Sequence, residues 1–157
     1  MRGQVQLIRR YSFALGTAAI IVVADLITKR YASIHFVDSP VEVIPGFLTF
    51  TFLENPGGAF SLFQNGGQII GVAAIGVTLF VLAALRASRP ALEVVALGMV
   101  IGGAVGNLLD RIFRGVGFLD GPVIDWIDLW WIPTFNIADA SVTVAVALLV
   151  LHAWRTR

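Results

Sequence analysis

Two aspartates in apolar surroundings are the residues best suited to chemistry in this 157-residue chain. Asp125 lies within Pro122-Val123-Ile124-Asp125-Trp126-Ile127, and Asp139 lies at the end of Phe135-Asn136-Ile137-Ala138-Asp139. Carboxylates that share one proton can divide labour: one takes a proton from water while the other protonates the developing oxyanion or leaving group. Asp139 also has a purely structural reading. Asn136 suits a helix N-cap, and an acid in the first turn is stabilised by the helix dipole. A second polar group follows a glycine-rich run, Gly102-Gly103-Ala104-Val105-Gly106-Asn107-Leu108-Leu109-Asp110-Arg111. Gly102 and Gly106 allow a neighbouring helix to approach closely. Gly103, Asn107 and Arg111 share one stripe at a spacing of four. Asn107, Asp110 and Arg111 serve either a site or the ordering of adjacent loops. Asp25 and Lys29 are spaced i, i+4 and can pair on one helix face, as a local salt bridge or as part of a site.

Other chemistries lack their residues. The chain has no cysteine, which excludes disulfides, zinc–thiolate sites and thiol nucleophiles. His35 and His152 fall at opposite ends of the expected bundle, so no two-histidine metal site is expected. Ser33 and Lys29 offer a serine–lysine pair without an accompanying oxyanion motif. No phosphate-binding glycine pattern occurs, and no basic patch with interleaved aromatics points to nucleic acid. The reading therefore calls for no cofactor and no metal.

The elements that must position these residues are membrane spans. Hydrophobic residues make up 57% and charged residues 13% of the chain, too few charges to cover a soluble domain. Mean hydropathy is +0.85. Four windows reach the length of a span: about 7–27, 68–85, 91–109 and 137–154. The basic start followed by an apolar run reads as a retained signal-anchor. Arg2, Arg9, Arg10, Arg86, Arg89, Arg155 and Arg157 are seven of the eleven basic residues, and a four-span layout puts all seven on one side, the cytoplasm by the positive-inside rule. Nine of the ten acidic residues fall on or near the other side; Glu93 is the exception. Both termini are thus expected in the cytoplasm and the working face outside. That face carries two segments, about 31–67 and 110–136. Val41–Ile44, Pro45-Gly46 and Phe47–Leu53 read as a β-hairpin with one apolar face, to lie on lipid, hold a lipid-like ligand or pack on the bundle. The fold class is an all-α bundle of four transmembrane helices with a small extracytoplasmic β-hairpin or cradle, one integral-membrane domain over residues 1–157. A non-enzymatic carrier or assembly scaffold is the competing function. A carrier would place its polar residues near mid-membrane, whereas here they gather at the outer ends.

Five segments together resemble the lipoprotein signal peptidase (signal peptidase II) family: Asp25-Leu-Ile-Thr-Lys29, Asn55-Pro-Gly-Gly-Ala-Phe60, Gly102–Arg111, Val123-Ile-Asp-Trp126 and Phe135-Asn-Ile-Ala-Asp139. The resemblance implies an intramembrane aspartic endopeptidase of the bacterial inner membrane. Its substrate would be a diacylglyceryl-modified prolipoprotein, cut just before the lipobox cysteine, and globomycin would be its inhibitor class. It implies Asp125 and Asp139 as catalytic residues. Asn55, Gly103, Asn107, Arg111 and Asn136 would shape the site or hold substrate, with Asp25, Lys29 and Asp110 in support. Leu26 departs from the usual Gln, Trp126 replaces a commoner Phe, and Gly115–Pro122 looks inserted. The insertion makes Asp120 and Asp128 rivals of Asp125, which alone has the Val-x-Asp-aromatic context.

Overall fold

Thirty-four consecutive residues, Arg2–His35, form helix α1. At 1.5 Å per residue it is about 50 Å long, longer than a hydrocarbon core of about 30 Å requires. The computed structural model describes residues 2–57 and 66–156. Along these residues follow β1 (Val41–Ile44), β2 (Leu48–Asn55), α2 (Gly67–Ala84), α3 (Ala91–Phe113), β3 (Val123–Leu129), β4 (Ile132–Phe135) and α4 (Ile137–Arg155). All four helices are long and apolar enough to cross a membrane. Their outward residues are apolar too, with Ile20, Ile69, Phe80 and Trp154 more than two-thirds exposed. That is the surface of a bundle solvated by lipid.

Helix α1 runs further than the expected 7–27. Lys29 does not end it, because its ammonium is buried rather than seeking solvent. The helix ends before Ser39-Pro40, where proline restricts its predecessor to extended backbone.

Helix α3 is the centre of the bundle and packs on α1, α2 and α4. Small residues permit this. A Cβ on Gly98 would lie 2.5 Å from the Ala14 carbonyl oxygen, and one on Gly102 would lie 2.9 Å from that of Ala18. Gly106 continues the seam against Asp25, while Gly103 faces α4 at Ala138 and Ser141. The seam is therefore one glycine longer than Gly102 and Gly106 suggested. At the Arg-rich end, Ala14, Ala18, Val81, Leu85, Val94, Leu97 and Ile101 form an apolar core. Arg10 donates to the Arg86 and Ala87 carbonyls, and Tyr11 donates to that of Leu82 (2.7 Å), closing that end.

At the opposite end sits a four-stranded antiparallel sheet in the order β1-β2-β3-β4. The hairpin is as expected. Pro45 and Gly46 make its turn, with Gly46 at φ 67° and the Phe47 N–H donating to Ile44 (2.9 Å), which suits a turn with proline before glycine. Strands β3 and β4 were not expected. Two aspartates interrupt the apolar alternation of β3, and the strand forms because β2 offers its edge, with Leu53 opposite Asp125 and Asn55 opposite Val123.

Candidate active site

The first turn of α4 is built by a reciprocal capping box. Asn136 Oδ1 accepts the Asp139 N–H (3.0 Å), and Asp139 Oδ2 accepts the Asn136 N–H (3.4 Å). The structural reading of Asp139 therefore holds, but it uses only one carboxylate oxygen. Oδ1 accepts from the Asn107 amide nitrogen (2.8 Å) on α3. Contact at Gly103 lets α3 and α4 come close enough for this, since a Cβ there would meet the Ala138 oxygen at 2.5 Å.

Asp125 reaches the same place from β3. Its Oδ1 accepts from Asn136 Nδ2 (2.7 Å) and its Oδ2 from Asn55 Nδ2 (2.9 Å). The side chain is 2% exposed. Burial pushes its pKa up to about 6; the Asp139 charge adds to the rise, while the Asn55 and Asn136 hydrogen bonds and the Lys29 charge oppose it. Both aspartates line one cavity of about 650 Å³, together with Asn55, Asn107 and Arg111. Its remaining wall is largely apolar, including Ile70, Val123, Ile132 and Phe135.

Arg111, 4% exposed, turns Nη1 toward the carbonyls of Pro56 and Gly121, both at 3.5 Å. Its Nε has no hydrogen-bond partner among the described residues. Below the cavity, Lys29 Nζ is shared by Asp25 Oδ2 (2.7 Å), Asp110 Oδ2 (2.8 Å) and Asn107 Oδ1 (2.9 Å). Asp25 Oδ1 accepts the Ala138 N–H of α4 (3.0 Å), and Asp110 Oδ2 accepts the Ile124 N–H of β3 (3.3 Å).

All ten residues singled out from the sequence thus meet in one region, five of them on the cavity wall. Gly103 and Asn136 act beside it, and Asp25, Lys29 and Asp110 behind it. The rivals lie elsewhere: both Asp120 oxygens accept the Gly117 N–H (3.0 Å each), and Asp128 stands opposite Thr49 in the sheet. The Ser33 hydroxyl donates to the Arg30 carbonyl (2.9 Å) and Lys29 is surrounded by acceptors, so no serine–lysine pair forms. Residues 58–60 of the second motif lie outside the described residues. Thr143, Pro133 and Thr134 line the cavity without having been singled out. Thr143 was within reach of sequence reasoning, being one turn beyond Asp139 on the same face.

A family profile described as signal peptidase (SPase) II matches residues 17–155. The lipoprotein signal peptidase of Symbiobacterium thermophilum is 40% identical over 143 residues, 86% of this chain and 90% of that protein. That of Caldicellulosiruptor bescii is 39% identical over 127 residues, 81% of each chain. A solved bacterial membrane enzyme superposes with a TM-score of 0.79 at 26% identity, covering 90% of this chain and 87% of its own. With the paired aspartates and four-helix frame already in place, the match over nearly the whole chain shows that it belongs to the signal peptidase II family.

Proposed function

We propose that the chain is an endopeptidase that removes signal peptides from diacylglyceryl-modified prolipoproteins, cutting just before the lipobox cysteine, with Asp125 and Asp139 as its catalytic dyad. The observation that carries this reading is the meeting of the two carboxylates, from a strand and a helix terminus, on one largely apolar cavity. Burial raises the pKa of Asp125, which is assigned as the acid. Asp139, with a hydrogen-bond donor on each oxygen, is assigned as the base. It takes a proton from water as the water oxygen attacks the scissile carbonyl. Asp125 gives its proton to the carbonyl oxygen. Collapse of the tetrahedral intermediate breaks the C–N bond, with the proton held by Asp139 passing to the leaving amine and the hydroxyl proton returning to Asp125.

The Arg111 Nε, without a hydrogen-bond partner among the described residues, supplies a donor for a peptide carbonyl, and Asn55 shapes the site by its hydrogen bond to Asp125. The apolar wall suits the acyl chains of the modified cysteine. The positive-inside rule puts both termini and the Arg86–Arg89 loop in the cytoplasm, and the sheet and dyad at the extracytoplasmic face of the bacterial inner membrane. Residues 1–157 act as one domain. A globomycin-type inhibitor is expected to compete for the same cavity.

The test is cleavage of a lipid-modified lipobox peptide by the purified protein. Asp125→Asn and Asp139→Asn should each abolish cleavage while still inserting; Asp120→Asn and Asp128→Asn should cleave normally. Cleavage that survives in Asp125→Asn but is lost in Asp120→Asn would move the dyad to the other side of the 115–122 segment.

A further inference from the structure

Each carboxylate of the dyad faces amide N–H groups, and that depends on which way the asparagine side chains are turned. Asn136 is held by its own helix, because its Oδ1 accepts the Asp139 N–H. Its amino group therefore points away, toward Asp125 Oδ1 (2.7 Å), Asn107 Oδ1 (3.1 Å) and the Ile124 carbonyl (3.3 Å). Two amide protons cannot fully serve three acceptors, and the two shorter contacts are to Asp125 and Asn107. The Asn107 oxygen is thus shared between the Asn136 amide at 3.1 Å and the Lys29 ammonium at the shorter 2.9 Å. An ammonium only donates, so only the oxygen of Asn107 can face it, and the Asn107 amino group must then face Asp139. The ammonium is buried among three acceptors, ion-paired with Asp25 and Asp110 and hydrogen-bonded to Asn107. It is not among the residues that line the cavity. Asp110 in turn accepts the Ile124 N–H beside Asp125.

We propose that Lys29 is a positioning residue for the dyad: its buried ammonium locks the Asn107 carboxamide with its donor toward Asp139 and, through Asp110, anchors the strand that carries Asp125. The inference rests on the dyad reading and deepens it. Without the ammonium, the Asn107 oxygen keeps only the longer Asn136 contact, which Asn136 can give up for the Ile124 carbonyl, and the Asn107 amide can then turn its oxygen to Asp139. A carbonyl oxygen repels a carboxylate and welcomes the protonated acid, so the base would be held in its inactive form up to higher pH. The charged groups around this centre are Asp25 from α1; Asp110 and Arg111 from α3, with Arg114 just after its end; Asp125 from β3; and Asp139 from α4. Strand β2 brings only the exposed Glu54, and α2 and β4 bring no ionisable residue.

The experiment uses full-length protein in detergent micelles and a lipid-modified lipobox peptide. The variants are Lys29→Met and the paired Asp25→Asn/Lys29→Met. The pair removes opposite charges together and keeps an acceptor for the Ala138 N–H, so it remains informative if the single variant fails to insert. We expect kcat per folded molecule to fall on the order of 10²-fold, the scale of a positional error, with KM little changed. The acid limb of the kcat–pH profile should move to higher pH, and the loss should fall short of multiplying in full with that of Asn107→Ala, because Lys29 acts in part through Asn107. A merely structural Lys29 would lower the folded yield and Tm while leaving kcat per folded molecule and the acid limb in place; that outcome overturns the proposal, as do losses that multiply in full. If Asp125→Asn and Asp139→Asn are inactive in the same assay while the Lys29 variants match the parent, the dyad stands and the positioning role falls.

Discussion

The two ends of the bundle are held together by opposite means. Near the Arg-rich end, α1 and α3 meet through Ala14, Ala18, Gly98 and Gly102, and the core around them is apolar. Near the sheet, the same two helices meet through Asp25, Lys29, Asn107 and Asp110, all at least partly buried and bonded to one another. In lipid, apolar surface gives no drive for one helix to seek another, so the first end relies on close packing of small residues. The second end carries buried charge, which is costly to desolvate and becomes strongly destabilising if one partner is removed. A bundle needing only stability could have used the first device throughout. The second lies where α1, α3, α4 and β3 meet around Asp125 and Asp139, and the positioning role proposed for Lys29 would account for its cost.

The largest expected effect tests whether the polar end is a reaction centre. Asp125→Asn and Asp139→Asn should remove cleavage together or singly to the same floor, because members of one catalytic unit do not contribute additively. A lipopeptide assay on the two single variants and the double variant decides this; independent, multiplying losses would argue for two separate roles.

A matched pair of glycine substitutions sharpens the contrast next. Gly98→Leu and Gly103→Leu introduce the same side chain where a Cβ already meets a backbone oxygen at 2.5 Å. Both should lower Tm. Gly103→Leu, by parting α3 from α4, should also cut kcat on the order of 10²-fold, whereas Gly98→Leu should leave kcat per folded molecule within about twofold. Equal kcat losses would mean that the two ends are mechanically continuous.

Arg111→Lys should have a smaller effect. Lysine keeps the charge but not the planar fork or the Nε donor. We expect slower cleavage with normal insertion, and wild-type turnover would remove Arg111 from substrate contact.

The smallest effect is on stability. Asp125 is pushed up to about 6 in the folded protein, above an unfolded value of about 3.9, so the folded state holds its proton more tightly. Folding is thereby favoured at low pH, and this contribution is lost as pH rises from about 4 to about 6. A Tm series in detergent should show a decline across that window in the parent that is weaker in Asp125→Asn; identical series would mean that Asp125 titrates normally. The same proton predicts that kcat/KM falls as pH rises past about 6, on the alkaline side of a bell-shaped profile.

Much of this was legible in the sequence because the signals were local. Spans 68–85, 91–109 and 137–154 became helices within a few residues of those limits, since a long apolar run has no other way to satisfy its backbone in lipid. The Asp25–Lys29 pair and the Asn136–Asp139 box follow from helical spacing alone. Strands β3 and β4 escaped notice because their pattern is broken by Asp125 and Asp128, and no property of 123–135 taken alone announces that β2 will accept it as a neighbour.

What the sequence determined by itself is thus every element whose cause lies within a few residues: four spans, a proline–glycine hairpin, a helix cap, an ion pair one turn apart. The tertiary structure alone decided what those elements bring together. Asn55 meets Asp125 across 70 residues and Lys29 meets Asn107 across 78, and no spacing rule links positions so far apart. Their meeting depends on glycines that let α3 sit against both α1 and α4, and on buried polar groups that must find partners because lipid and the packed interior offer them none.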